Sequence, residues 1–239
     1  MSRPIHILQL YPQDMNIYGD HGNVLVLKRR LEWYGYEPIV TEYNVGDPFP
    51  KTVDIVIGGG GQDSGQEKIH KDLLKIAPKL RELADNNVPI LVVCGLYQLF
   101  GNYFQTSKNT RLDGIGILDV ETHGTNERLI GNIVTSTESF GEIIGYENHS
   151  GQTTLGQNVQ PFATVIKGAG NNSQDGHEGA RYKNVIGTYL HGSILPKNPQ
   201  LADYFIEVAV RQRYEDFTPN VIDDLFTELA RDVARERPR

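Results

Sequence analysis

The 239 residues carry 23 Lys and Arg against 30 Asp and Glu, a net charge of −7. That balance argues against nucleic acid as the main partner, because a phosphate-binding surface is normally basic. The single cysteine excludes intrachain disulfides and cysteine-cluster zinc sites, and the seven histidines show no paired metal-ligand spacing, so no metal is expected.

A 38% apolar fraction suits a globular chain able to bury a sizeable core. The opening run, Met1 to Tyr11, is too short and interrupted for a secretory signal. No stretch approaches the roughly 20 apolar residues that span a bilayer. These features predict a cytoplasmic protein without a membrane span, in which the sequons at Asn148 and Asn171 are idle.

In chain order, Ile5 to Tyr11 reads as a strand and Gly22 to Trp33 as a helix with Val24, Leu25, Leu27 and Leu31 on its inner face. Glu37 to Tyr43 and Val53 to Ile57 read as further strands, the second running into Gly58-Gly59-Gly60-Gly61-Gln62-Asp63. A helix over 66–86 follows, in which Pro78 predicts a kink or break. Ile90 to Val93 is a short β-branched run of the kind buried on both faces. Strands alternating with helices imply a parallel sheet covered on both sides. Between Leu112 and Lys167 the pattern breaks into short strand-like pieces, at Gly116 to Glu121, Leu129 to Ser136 and Ala163 to Ile166, read as strands and hairpins appended to that sheet. Gly168 to Gly179 reads as a flexible loop or hairpin tip. Val185 to His191 is a last inner strand, and Asn198-Pro199 predicts an N-cap and first helical residue. Thr218-Pro219-Asn220 is expected to open a final helix through Leu225, Leu229 and Val233. With no repeat and no linker, residues 1–239 read as a single domain.

Chemistry concentrates where strands end. At Cys94-Gly95 the strand pattern becomes helical, which sets a cysteine on a tight turn. There the N–H groups and positive dipole end of the following helix favour a thiolate. A core cysteine packing as a small hydrophobe is the alternative. His191 ends another strand, and a cysteine and histidine far apart in sequence can meet in space as a nucleophile and its base. The glycine run offers unobstructed N–H groups for an oxyanion. It is no Walker motif, since the position that needs Lys after Gly65 holds Gln66. Arg128, judged alone, reads as a surface arginine.

Val93-Cys94-Gly95-Leu96-Tyr97-Gln98 together with Thr188-Tyr189-Leu190-His191-Gly192 resembles class I glutamine amidotransferases of the cobyric-acid-synthase type. The motifs at 59–63, 18–23 and 145–151 narrow the resemblance to the amidotransferase subunits of lipid II isoglutaminyl synthases. The resemblance implies a three-layer, flavodoxin-like α/β fold with Cys94 as nucleophile and His191 as general base. It implies that Arg128 holds the carboxylate of L-glutamine, that Gly95 and the Gly59-Gly60 region form the oxyanion hole, and that Gln98 belongs to the substrate site. Leu96 departs from the second glycine of many relatives, and Ser193 stands where triad-type enzymes carry Glu. The implied function is release of ammonia to a Mur-ligase-like synthetase partner, as a heterodimer, for amidation of the lipid II stem peptide. The acceptor is membrane-anchored and met through that partner. ATP and Mg are expected on the partner, since no nucleotide site or other cofactor is recognisable here. An amidotransferase for another acceptor, such as a corrinoid carboxylate, and an idle scaffold are the rival readings. No acidic residue lies between His191 and Leu201. A carboxylate for His191 must therefore come from an acid distant in sequence, for instance Asp20 or Glu147, or from the partner, and the partner is the expectation.

Overall fold

A computed structural model describes residues 3–238. Its first sheet is built from β1 (Pro4–Leu10), β2 (Glu37–Tyr43), β3 (Ile55–Gly58), β4 (Ile90–Val93), β11 (Ala180–Tyr182) and β12 (Val185–Thr188). The spatial order is β11-β12-β4-β3-β1-β2, all parallel except the edge strand β11. β3, β4 and β12 are buried at every residue, which explains their unbroken apolar runs.

Helix α1 (His21–Trp33) packs with α4 (Ile194–Lys197) and α5 (Pro199–Tyr214), while α2 (Asp63–Asp85) packs with α3 (Gly95–Phe100). The order reverses between β1 and β3, so right-handed crossovers send these two groups to opposite faces. Helix α2 runs unbroken through Pro78, so the break that proline could have caused does not occur. The carbonyl that proline leaves without its N–H partner belongs to Leu74, on the exposed side of the helix where water can serve it.

The middle of the chain forms a second sheet rather than short appended pieces. Its centre is the long hairpin β7 (Val120–Thr137) and β8 (Gly141–Leu155), with β5 (Tyr103–Gln105), β6 (Arg111–Asp113), β9 (Ala163–Lys167) and β10 (His177–Glu178) arranged in the order β10-β9-β7-β5-β6 and β8 paired to β7. Thr122, Thr135 and Thr153 are buried inside these strands. Thr122 and Thr153 hydrogen-bond each other across the ladder at 2.7 Å, and Thr135 donates to the Ile143 carbonyl. Residues 114–118 lie outside any strand. The 168–179 loop is pinned: Asn171 accepts from Gly179 N and Tyr97 Oη and donates to the Gly179 carbonyl.

Two helix starts also differ from expectation. Pro199 does open α5, but the Asn198 side chain does not cap it. Instead Asn198 bonds both backbone groups of Ile144 and the Ile194 carbonyl, tying α4 to β8. The last helix, α6, spans Leu225–Glu236, and residues 218–224 are irregular. A buried ion pair explains that stretch, because Arg30 on α1 grips both Asp203 and Asp224 through paired bonds of 2.7–2.9 Å. Helix α6 turns Leu225, Phe226, Leu229 and Val233 outward. No helix among the described residues is long and apolar enough to cross a membrane.

Candidate active site

Cys94 follows β4 directly and its N–H bonds the Thr188 carbonyl at the end of β12, so the two strand ends are locked side by side. Its backbone takes φ +50° and ψ −104°, a region a non-glycine residue occupies only when its surroundings force it. Such strain on a buried cysteine at a strand–helix turn favours a reactive role over simple core packing.

His191 lies three residues past the end of β12, and β8 fixes it: His191 and Tyr146 exchange backbone hydrogen bonds of 2.8 and 3.3 Å. Behind it, the buried Glu178 carboxyl accepts from Thr188 Oγ1 and Tyr189 N and holds the approach to the histidine. Burial raises the Glu178 pKa to about 7. The His191 ring faces three groups. Tyr18 lies against it at 4.3 Å between ring centres, and Asp20 Oδ1 stands 3.8 Å from Nδ1. Cys94 is the third, and both it and the ring meet at Gly60. A Cβ on Gly60 would sit 2.8 Å from His191 Cε1 and 3.1 Å from Cys94 Cβ. Burial alone would lower the His191 pKa, but the facing Cys94 and Asp20 outweigh it and raise it to about 10.

Of the two carboxylates considered for His191, the fold brings Asp20. Glu147 is spent elsewhere, accepting from Ala169 N and Gly170 N. Asp20 is buried with the ring, its Oδ2 accepts the Gly60 N–H at 2.7 Å, and its Oδ1 has no hydrogen-bond partner. One carboxylate thus ties the glycine loop to the histidine. Only the Tyr-Gly-Asp tripeptide ahead of α1 signalled it in sequence.

The glycines expected to donate to an oxyanion differ in what already engages them. The Gly60 N–H is committed to Asp20, and Gly59 packs against the Met15 carbonyl and Asp20. The nitrogen beside Gly95 is that of Gly61, 3.1 Å from where a Gly95 Cβ would stand. Gly61 also lines the cavity that Cys94 enters.

That cavity, about 330 Å³, brings Cys94, Gln98 and Arg128 together. Arg128 reaches it from a bulge in β7, where four residues, 125–128, intervene between the pairs Gly124↔Gly151 and Leu129↔His149. Its Nε donates to Asn148 Oδ1 and its Nη2 to Tyr18 Oη, which aims the guanidinium across the mouth. Gln98 is occupied at both ends, donating to Tyr189 Oη and accepting from Gln66 Nε2, so it shapes the wall. Sequence reasoning missed Gln66, Tyr18 and the buried His149. The last is stacked on Tyr189 at 3.6 Å, and burial lowers its pKa to about 3, so it is neutral. No cluster of metal-ligating side chains occurs among the described residues.

This architecture is that of class I glutamine amidotransferases: the crystal structure of one superposes with a TM-score of 0.60 at 16% identity, over 84% of this chain and 98% of that one. The chain belongs to the family of CobB/CobQ-like glutamine amidotransferase domains, which it matches over residues 6–199. It is similar nearly end to end to the lipid II isoglutaminyl synthase (glutamine-hydrolyzing) subunit GatD of Staphylococcus aureus (strain N315), with 39% identity over 98% of this chain and 97% of that protein. The subunit of the same name from Streptococcus pneumoniae (strain ATCC BAA-255 / R6) is 36% identical over 97% of this chain and 90% of that protein.

Proposed function

We propose that this chain is a glutamine-hydrolysing subunit that releases ammonia from L-glutamine through a Cys94 thioester. The observation that carries the reading is one cavity shared by a strained cysteine backed by a buried histidine and by an arginine fork opposite. Similarity to the GatD subunits along almost the whole chain supports it.

In this mechanism Arg128 receives the α-carboxylate of glutamine, a group its planar fork suits. Cys94 Sγ, as thiolate, attacks the side-chain amide carbon. The oxygen that takes the displaced electron pair is met by the N–H groups of Gly61 and Gly95. His191, held as imidazolium by the charges facing it, donates its proton to the departing nitrogen, and ammonia leaves. The neutral ring then takes a proton from water as that water attacks the thioester, and glutamate departs with the thiolate restored. Asp20 steadies the imidazolium form.

The acceptor of the ammonia is the D-glutamate carboxylate of the lipid II stem peptide, activated by ATP with Mg on a Mur-ligase-like synthetase subunit. The names of the relatives support this acceptor. The test is glutamate release from glutamine by the parent and by Cys94→Ala. Turnover in the parent with none in the variant is expected, and turnover surviving in Cys94→Ala would overturn the reading.

A further inference from the structure

Between the end of β12 at Thr188 and His191 the chain leaves its ladder, and the N–H groups there need other acceptors. Tyr189 N donates to Glu178 Oε1 at 2.8 Å, and Thr188 Oγ1 donates to the same oxygen at 2.6 Å. Thr188 Oγ1 in turn accepts from Leu190 N at 3.1 Å. One carboxyl oxygen on β10, in the second sheet, therefore serves both N–H groups that precede His191, one directly and one through a hydroxyl. The same short segment borders the nucleophile, because the Thr188 carbonyl accepts from Cys94 N. We propose that Glu178 is a positioning residue for the reaction, setting His191 in register with bound glutamine by fastening residues 188–190 to the sheet that carries Arg128. The inference rests on the glutaminase reading above.

Glu178 is itself held rigidly. Asn171 N donates to the His177 carbonyl on one side of it, and the Asn171 side chain clasps both backbone groups of Gly179 on the other. Gly179 takes φ +64°, and a Cβ there would collide with the Gly187 carbonyl, so the turn after β10 lies directly on β12. The second sheet also grips the far end of the segment, where Tyr146 of β8 pairs with His191. Base and carboxylate receptor are thus carried by one sheet, while Cys94 ends a strand of the other.

The Glu178 carboxyl is a poor choice for simple packing. It is fully buried, Oε2 has no hydrogen-bond partner, and Glu147 of β8 opposes its charge while His191 favours it. An orphaned oxygen in a core is uncommon, and an apolar side chain of similar size would avoid it. What only the carboxyl supplies is an acceptor for the approach to the histidine.

The experiment follows glutamate release from glutamine by this chain in complex with its synthetase. Glu178→Ala removes the acceptor and should lower kcat at least about thirtyfold through misplacement of the base. KM for glutamine should stay within about threefold, since the β7 bulge that presents Arg128 does not depend on residues 188–190. Glu178→Gln keeps a carbonyl oxygen for both donors and should restore kcat to within about threefold of the parent. Thr188→Val preserves shape but breaks the link to Leu190 N, and about a tenfold loss in kcat is expected. It decides the matter if circular dichroism shows Glu178→Ala to be misfolded. A kcat within threefold of the parent in the deciding variant would overturn the proposal. So would a Glu178→Gln protein as impaired as Glu178→Ala, because the charge and not the acceptor would then be acting. Absence of glutamate release by the parent complex would instead defeat the glutaminase reading.

Discussion

At the scale of single residues, His191 depends on charges that stand around it in space. Its folded pKa of about 10 lies above the ordinary histidine value of 6.5. The proton is therefore bound more tightly in the folded state. The stability it contributes is fully present below pH 6.5 and drains away as pH rises through 10. Asp20 is one of the two groups that hold the proton, so Asp20→Asn should move the alkaline limb of kcat/KM for glutamine hydrolysis to lower pH, by roughly one unit. An alkaline limb left in place would mean that Cys94 alone sets the histidine. Arg128 makes a different demand. Losing a charge-assisted contact of about 1.5–3 kcal/mol should raise KM for glutamine roughly 10- to 150-fold in Arg128→Ala, with a smaller change in kcat. Unchanged KM would return Arg128 to the role of an ordinary surface cation.

At the scale of elements, the site is a meeting of turns that leave no room between them. Gly60 separates Cys94 from His191, and a methyl group there would press on both. We expect Gly60→Ala to keep the fold, judged by circular dichroism, and to reduce glutaminase turnover about a hundredfold or more, since displacement of reacting groups by about 1 Å costs that much. Turnover within threefold of the parent would show that the loop can shift to accommodate the methyl. A second joint is Arg30, which ties α1 to α5 and to the lead-in of α6. Its side chain is 5% exposed, while Asp203 and Asp224 are 33% and 24% exposed. Arg30→Met would leave two carboxylates together without a counter-charge. Discounted for the partial exposure of the aspartates, the cost should be about 2 kcal/mol, read as a lower midpoint in urea.

For the molecule as a whole, the proposed division of labour makes ammonia the only thing this chain passes on. A synthetase complex carrying Cys94→Ala should then amidate its acceptor at high ammonium and fail with glutamine. Failure in both conditions, with the complex intact, would mean that the chain does more than supply ammonia. Asp20 also bears on whether the chain can act alone. A carboxylate borrowed from a partner would make the chain a poor glutaminase in isolation. With an acid of its own beside His191, the isolated chain should hydrolyse glutamine measurably.

Much of this protein is written locally. The doubly wound sheet follows from apolar runs of strand length alternating with helical periodicity. Cys94 and His191 stand out because each ends such a run, and the motif resemblance brought in Arg128 although its own surroundings marked it as a surface residue. The tertiary structure decided what depends on contacts between distant segments. It made one hairpin of a stretch that read as fragments, because cross-strand bonds satisfy its buried threonines. It lifted Arg128 into the cavity through a bulge that no local pattern announces. It brought a carboxylate beside the histidine from a turn 171 residues earlier (191 less 20), and it left the Gly61 N–H, not that of Gly60, which Asp20 holds, next to Gly95. A contact between segments so far apart leaves no periodic trace in either of them, so only the folded chain reveals which polar groups are already engaged.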